Sequence, residues 1–159
     1  MPFLVLPTSS VRDSYLEGER EVCGEERLPT SSVDEAAADF DAFVDRRRAV
    51  RELWGVPVTE LWFVDGSDYL GTVIIRHRLT PALERVGGHI GFHVVPRHRR
   101  RGHATRMLAD AVVFCRHLGL TALLITCAEG NTASRRVIEV NGGVLEIPAT
   151  GECRYWLVS

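Results

Sequence analysis

The 159-residue chain is predicted to fold as one mixed α/β domain. Three observations predict this class. The length is that of one ordinary domain, no repeat or linker divides residues 1–159, and apolar patterns with the period of strands alternate with patterns of helical period. A domain of 159 residues is large enough to bury a core without a metal ion or disulfides.

The first half of the chain predicts a strand, two helices and a hairpin. Phe3–Leu6 is predicted as a strand and Ser10–Val22 as a helix. A second helix is expected to begin at Ser32, because Ser32 and Glu35 have the spacing of a capping box. Asp65-Gly66-Ser67 lies between two β-prone runs, which indicates a hairpin. The apolar stripe of the second helix is Ala36, Phe40, Phe43 and Val44.

The second half predicts two more helices and four strands. A loop over 79–87 leads to a strand at His89–Val95, an arginine-rich turn and a helix of about four turns ended by Gly119. A strand at Thr121–Thr126 and a short helix at Asn131–Val140 follow. The last predicted strands are Val144–Ile147 and Arg154–Val158. The apolar face of the longer helix is Ala104, Leu108, Ala111, Cys115 and Leu118. A single central sheet is expected.

Charge is unevenly distributed along the chain. All 19 basic residues are arginine, so Schiff-base enzymes and P-loop NTPases, which need a lysine, are excluded. Residues 1–60 carry 13 acids and 7 arginines, whereas residues 61–159 carry 8 acids and 12 arginines. Residues 85–109 contain no acid but six arginines and four histidines, which suits an anionic ligand as well as a solvated loop.

The cysteines and the termini indicate a reducing, cytoplasmic environment. Cys23, Cys115, Cys127 and Cys153 are widely spaced and form no Cys-x-x-Cys pair, so neither a metal site nor a disulfide is expected. The sequence shows neither a basic leader nor an apolar run near 20 residues, so no association with a membrane is expected.

The most informative segment is the turn between the strand at His89–Val95 and the long helix. The strand breaks at Pro96, and the chain enters the helix through Arg99-Arg100-Arg101-Gly102-His103-Ala104. The first amides of a helix lack intrahelical acceptors and lie at the positive end of its dipole. Gly102 and Ala104 would not obstruct a ligand, so the turn predicts a pyrophosphate site.

Two segments resemble motifs of the GNAT family of N-acetyltransferases. Arg99-x-x-Gly102-x-Ala104 resembles motif A, R/Q-x-x-G-x-G/A, and 126–134, followed by Gly142-Gly143, resembles motif B. Three further segments resemble a bacterial branch of predicted acetyltransferases: Gly87-Gly88-His89-Ile90-Gly91, residues 133–146 and Arg154-Tyr155-Trp156. The resemblance implies a mostly antiparallel mixed sheet of about 6–7 strands that splays after the fourth, with about 4 flanking helices.

The resemblance also implies a coenzyme site for acetyl-CoA and no metal. Its pyrophosphate would lie against the turn and the first amides of the helix. Its pantetheine arm would pair with the backbone of a strand edge, and two side chains of motif B would lie near it. The implied residues are Arg99, Arg100, Arg101, Gly102, His103, Ala104 and Thr105 in the turn, Phe92, His93 and Val94 on the strand, and Asn131 and Ser134 in motif B.

The chemistry of the family needs a base for the acceptor amine and a proton for the departing thiolate. In many members a glutamate on the fourth strand is the base, and His89 lies at about that place; it could equally be a hydrogen-bonded strand residue. His93 lies on the same face by period 2 and is a rival nearer the thioester. The usual acid, a tyrosine, is replaced by Ile138. Tyr155 could supply the proton instead, or the thiolate could leave unprotonated or take a proton from the substrate ammonium.

Three functions are therefore in competition. The first is acetyl-CoA-dependent N-acetylation of an amine in a ternary complex, with an acidic first half suited to a cationic acceptor. The second is an acyl-CoA-binding module without turnover, suggested by Ile138. A nucleic-acid binder using 97–106 is disfavoured by the net charge of −2 and the pI of about 6.3. The apolar end at 155–158 permits a homodimer.

Overall fold

A computed structural model describes residues 1–146 and 151–159. The strands are β1 (Phe3–Val5), β2 (Arg51–Leu53), β3 (Val56–Asp65), β4 (Asp68–Arg76), β5 (Ile90–Val94), β6 (Ala122–Ala128), β7 (Val144–Leu145) and β8 (Glu152–Val158). The helices are α1 (Arg12–Glu26), α2 (Ser31–Ala38), α3 (Phe40–Arg48), α4 (Pro81–Arg85), α5 (His103–His117) and α6 (Thr132–Val140). Short 3₁₀ turns at Ser9–Val11 and Pro96–His98 precede α1 and the arginine-rich turn.

The strands form two antiparallel sheets instead of the expected single sheet. The first has the order β1-β3-β4-β5 with β2 paired to β3, and the second has the order β6-β8-β7. The two sheets meet at a bridge between Gly88 and Ile125, and the His89 N–H donates to the Leu124 carbonyl at 2.7 Å. Beyond this point they diverge along β5, which produces the implied splay. The splay was expected after the fourth strand. It follows the fifth strand in this numbering because β2 is an additional short strand that was not predicted.

Each face of the first sheet is covered by its own set of helices. One core contains the buried face of α5, with Met107, Leu108 and Ala111, and extends to Tyr155 on β8. The other core packs α1, α2 and α3 against Trp62 and the opposite face of the sheet. In this second core the rings of Tyr15 and Trp62 stack with centroids 4.4 Å apart. The two cores fix α1 and α5 on opposite sides of β5.

The predicted second helix is divided into α2 and α3, and its start was placed wrongly. Helix α2 begins at Ser31 after Thr30, whose hydroxyl donates to Asp34 at 2.9 Å. The capping-box prediction is therefore wrong: Glu35 pairs with Arg46 at 2.6 Å instead of reaching back to the N-terminus of the helix. Asp39 interrupts the helix because its carboxylate accepts the Ala42 N–H at 3.2 Å and caps α3.

Helix α5 agrees closely with its predicted pattern. Met107, Leu108, Ala111 and Cys115 are buried, whereas Leu118 is 40% exposed because it lies past the last helical residue. Helix α4 and strand β2 were not predicted, and Ile147 of the predicted strand 144–147 lies outside the described residues. No helix in the part of the chain that the structure describes combines the length and apolarity needed to cross a bilayer.

Candidate active site

The arginine-rich turn leaves the first amides of α5 open to a ligand. Arg100 and Gly102 adopt positive φ angles of 62° and 79°, and this reversal brings the chain into the helix. Among the described residues, the N–H groups of residues 101–105 have no hydrogen-bond acceptor, and no side chain caps the helix. A Cβ built on Gly102 would meet nothing within 4 Å. The turn therefore offers unpaired donors at the positive end of a 15-residue helix.

The arginines of this turn have two different environments. Arg97 contacts Glu17 and Glu21 of α1 at 2.9 Å, and Arg99 contacts Glu25 at 2.5 Å while its Nε donates to the Val94 carbonyl. These pairs attach the turn to α1. Arg100 and Arg101 are exposed and make no ion pair with any described residue. Positive charge next to the open amides therefore comes from these two side chains.

A cleft of about 280 Å³ opens between β5 and β6. Its walls come from β5, from β6 and from one face of α6, and they include Ile90, Phe92, Thr126, Cys127 and Ile138. The β4–β5 ladder decides which backbone groups of β5 face the cleft. The Arg76 N–H donates to the His89 carbonyl, and the Val95 N–H donates to the Leu70 carbonyl. Because backbone groups alternate along an antiparallel strand, the N–H and C=O of His93 point towards β4, whereas those of Phe92 and Val94 point away from it.

The two motif B residues lie where α6 faces the cleft. Asn131 is the N-cap of α6, and its side-chain oxygen accepts the Ser134 N–H at 3.1 Å. Both residues line the cleft, as does Ile138, which is fully buried. The position at which the family usually has a tyrosine is therefore an apolar part of the wall.

His89 lies at the junction of the two sheets. Its side chain is buried, and its Nδ1 accepts the Leu124 N–H at 3.0 Å. Burial and the nearby Arg76 charge lower the pKa of this imidazole, so it is neutral near pH 7. A neutral ring that accepts at Nδ1 carries its proton on Nε2. In this arrangement His89 joins the two sheets and has no free lone pair for an incoming amine.

His93 belongs to a polar cluster on the α1 side of β5. Its Nε2 lies 2.9 Å from Glu19 Oε2, and the Tyr69 hydroxyl donates to the same carboxylate oxygen at 3.0 Å and also contacts Thr72. Burial alone would lower the pKa of His93, but the hydrogen bond and charge of Glu19 outweigh it and raise the pKa above 6.5. The side chain remains 34% exposed.

Tyr155 is separated from these histidines. Its ring is buried in the α5 core, its hydroxyl donates to Glu139 at 2.9 Å, and it accepts a hydrogen bond from Arg135 Nε at 3.0 Å. Both partners belong to α6. The hydroxyl therefore connects β8 to α6, and its proton is hydrogen-bonded to Glu139.

Sequence reasoning missed Glu19, Tyr69, Thr72 and Arg76. Glu19 is one of several acids on α1, and 74 residues separate it from His93, so no spacing rule could pair them. Thr72 could have been found from strand register alone, since it lies opposite His93 in the β4–β5 ladder. Within the described ranges, no group of three histidine, cysteine, aspartate or glutamate side chains could hold a metal ion.

The chain is similar to known proteins over nearly its whole length. A family model described as "Acetyltransferase (GNAT) domain" matches residues 13–144. No curated protein matches the chain. RimJ of Mycobacterium smegmatis, solved with a CoA disulfide, is similar with a TM-score of 0.69 and 18% identity, covering 99% of this chain and 82% of its own.

Two further solved structures are similar over nearly their whole length. The microcin C7 self-immunity acetyltransferase MccE, in complex with acetyl-CoA and AMP, has a TM-score of 0.66 and 12% identity, with 99% of this chain and 92% of that chain covered. RimL, a ribosomal L7/L12 α-N-protein acetyltransferase in complex with coenzyme A, has a TM-score of 0.67 and 12% identity, with 99% and 93% covered. At these identities the likeness shows a common fold.

Proposed function

The chain belongs to the GNAT acetyltransferase family, and from this premise we propose that it transfers the acetyl group of acetyl-CoA to a primary amine of a small molecule or peptide. Transfer would occur by direct attack while both substrates are bound. One observation carries the proposal: the unpaired amides at the N-terminus of α5 are close in the chain to the β5 edge of an open cleft. The diphosphate of the coenzyme would bind the unpaired amides, and its extended pantetheine arm would bind the neighbouring strand edge.

The residues present fit the coenzyme along this whole path. The amides of Gly102–Thr105 would hold the diphosphate, with Arg100 and Arg101 supplying positive charge. The outward backbone groups of Phe92 and the N–H of Val94, whose carbonyl already accepts Arg99 Nε, would pair with the amides of the pantetheine arm, as an added strand does. Bound acetyl-CoA supplies a thioester carbonyl for attack and a thiolate as the leaving group.

We assign the role of general base to His93 in preference to His89. When the neutral ring donates its Nε2 proton to Glu19, its Nδ1 lone pair is free to take a proton from the ammonium of the acceptor. Glu19 also stabilises the imidazolium that this transfer creates, and Tyr69 orients Glu19. His89 lacks this freedom because its Nδ1 already accepts the Leu124 N–H.

No tyrosine is required as the acid in this scheme. The proton of Tyr155 is bonded to Glu139, and Ile138 offers none. The thiolate would leave unprotonated and take a proton from solvent. The apolar Ile138 is also the specific observation that favours a second candidate function, an acyl-CoA-binding module without turnover.

Turnover separates these two functions. Release of free CoA from acetyl-CoA should be measured over a panel of amino acids, polyamines, aminoglycosides and peptide N-termini. We expect release with at least one class, and His93→Ala should lower kcat/KM by about 10²- to 10⁴-fold, the usual contribution of a general base. His117→Ala, at the exposed C-terminal end of α5, is the matched control and should leave turnover unchanged. Tight acetyl-CoA binding with no release from any amine would support the binding module instead.

A further inference from the structure

A partly buried arginine without a carboxylate partner lies at the end of the cleft remote from the arginine-rich turn. Arg76 is the last residue of β4 and pairs with His89 through its backbone, since its N–H donates to the His89 carbonyl at 2.7 Å. Its guanidinium lines the cleft together with Gly87 and Gly91. A Cβ built on Gly91 would lie 3.7 Å from Nη2. The guanidinium is therefore next to the first residues of β5.

The guanidinium is held firmly in this position. Its Nη1 donates to the carbonyl oxygens of Gly87 and Gly88 at 3.0 and 3.2 Å. The ring of Trp54 covers it, with the guanidinium carbon 4.5 Å from the ring centroid. Trp54 and Gly55 have φ angles of 54° and 77°, the positive pair of a type I′ hairpin turn between β2 and β3. The turn thus places the tryptophan ring over the arginine.

The charge of Arg76 is not compensated within the described part of the chain. No aspartate or glutamate there lies within ion-pair distance of it, and neither Nη2 nor the buried Nε has a hydrogen-bond partner. Glu152 lines the same cleft but forms no ion pair with it. An arginine stays protonated at neutral pH, and withdrawing a cation from water without a counter-charge is costly. A ligand with a negative charge would remove this cost.

The position along β5 identifies which part of a ligand reaches Arg76. If the reacting carbonyl lies near His93, as proposed above, Gly91 is about 7 Å further along the strand, away from the turn. We propose that Arg76 binds a carboxylate that lies beyond the reacting carbonyl, through a charge-assisted hydrogen bond from its unpaired Nη2. This inference rests on the proposed function. The carboxylate can belong to the acceptor, as in an α-amino acid, or to the acyl chain, as in a dicarboxylic acyl group.

Two matched pairs of substrates distinguish these sources. The donor pair is succinyl-CoA and butyryl-CoA, which differ in a terminal carboxylate. Their dissociation constants are compared by titration calorimetry. The acceptor pair is a set of α-amino acids and their amides, compared by kcat/KM with acetyl-CoA. We expect the wild-type protein to favour the carboxylate member of one pair by about 10- to 100-fold, as for a hydrogen bond to a charged group.

Variants connect the preference to the arginine. Arg76→Gln should abolish it, Arg76→Lys should keep part of it, and Arg85→Gln, an exposed arginine on neighbouring α4, should keep all of it. If Arg76→Gln does not fold, the inference is still tested by the preference of the wild-type protein for the carboxylate substrate and by the partial preference expected of Arg76→Lys. Absence of any preference in the wild type, or a full preference in Arg76→Gln, would overturn the inference while leaving acetyl transfer intact. Failure of the wild type to bind acetyl-CoA would instead refute the proposed function, and this inference with it.

Discussion

Replacing Gly102 with glutamate tests the coenzyme site at its most exposed point. The glycine precedes the first residue of α5 and has open space around its Cβ position, so the new side chain meets no steric obstacle in the fold. The carboxylate would lie among the unpaired amides and would occupy the donors that a diphosphate needs. Its negative charge would also repel the diphosphate.

The size of the effect follows from charge and distance. Two unit charges 4 Å apart interact by about 1 kcal/mol in water and about 4 kcal/mol at an effective dielectric constant of 20. The dissociation constant of acetyl-CoA should therefore rise by about one to three powers of ten. Loss of glycine at a φ of 79° costs roughly 1–2 kcal/mol of stability in addition.

A matched control separates these two consequences. Gly119, just beyond the other end of α5, has a φ of 83° and also has nothing within 4 Å of its Cβ position. Gly119→Glu should therefore incur a similar backbone cost without any charge at the proposed site. Titration calorimetry with acetyl-CoA is the assay, and thermal unfolding verifies the fold. Equal affinities for Gly102→Glu and the wild type would refute the location of the diphosphate.

Three other variants test the base and the fold. In Glu19→Gln the amide cannot offset the burial of His93, so the pKa of His93 should fall and the acidic limb of the kcat/KM profile should move to lower pH; an unmoved limb would mean that His93 is not the base. In Gly88→Ala the new Cβ would lie 2.3 Å from the Leu124 carbonyl oxygen, and the φ of 63° adds strain, so denaturant unfolding should show a loss of about 2–5 kcal/mol. Glu60→Ala would leave two partly buried arginines without their shared partner and should cost about 3–5 kcal/mol, whereas a loss below 1 kcal/mol would contradict this role.

Local features of the fold were predictable because their causes are local. The end of the β5 strand at Pro96, the glycine before α5 and the apolar face of that helix all lie within a short stretch of sequence, and the structure has α5 at His103–His117. The division between α2 and α3 was missed because the predicted stripe from Ala36 to Val44 runs past Asp39, which was therefore read as an interior residue of one helix. Its carboxylate caps the following helix instead, and only the final geometry decides between these two roles.

The chemistry of the site was less predictable because its partners are distant in sequence. His93 was a candidate from its place on the strand, but Glu19, which accepts its Nε2 proton and leaves Nδ1 free, comes from α1 and is 74 residues away in the chain. The bond between Leu124 and the His89 ring depends on how two separate sheets meet. Tyr155 was a candidate acid from its place in the last strand, and only the fold shows that its hydroxyl lies between Arg135 and Glu139.

Hydrogen–deuterium exchange with and without acetyl-CoA tests the central claim most directly. The amides of Gly102–Thr105 have no acceptor within the described chain, and that of Phe92 points away from β4, so all should exchange rapidly in the free protein. Saturating acetyl-CoA should protect these amides and leave the exposed end of α5 near Gly119 unchanged. Protection confined to another surface, or no protection at a coenzyme concentration that shifts the melting temperature, would contradict the proposed site.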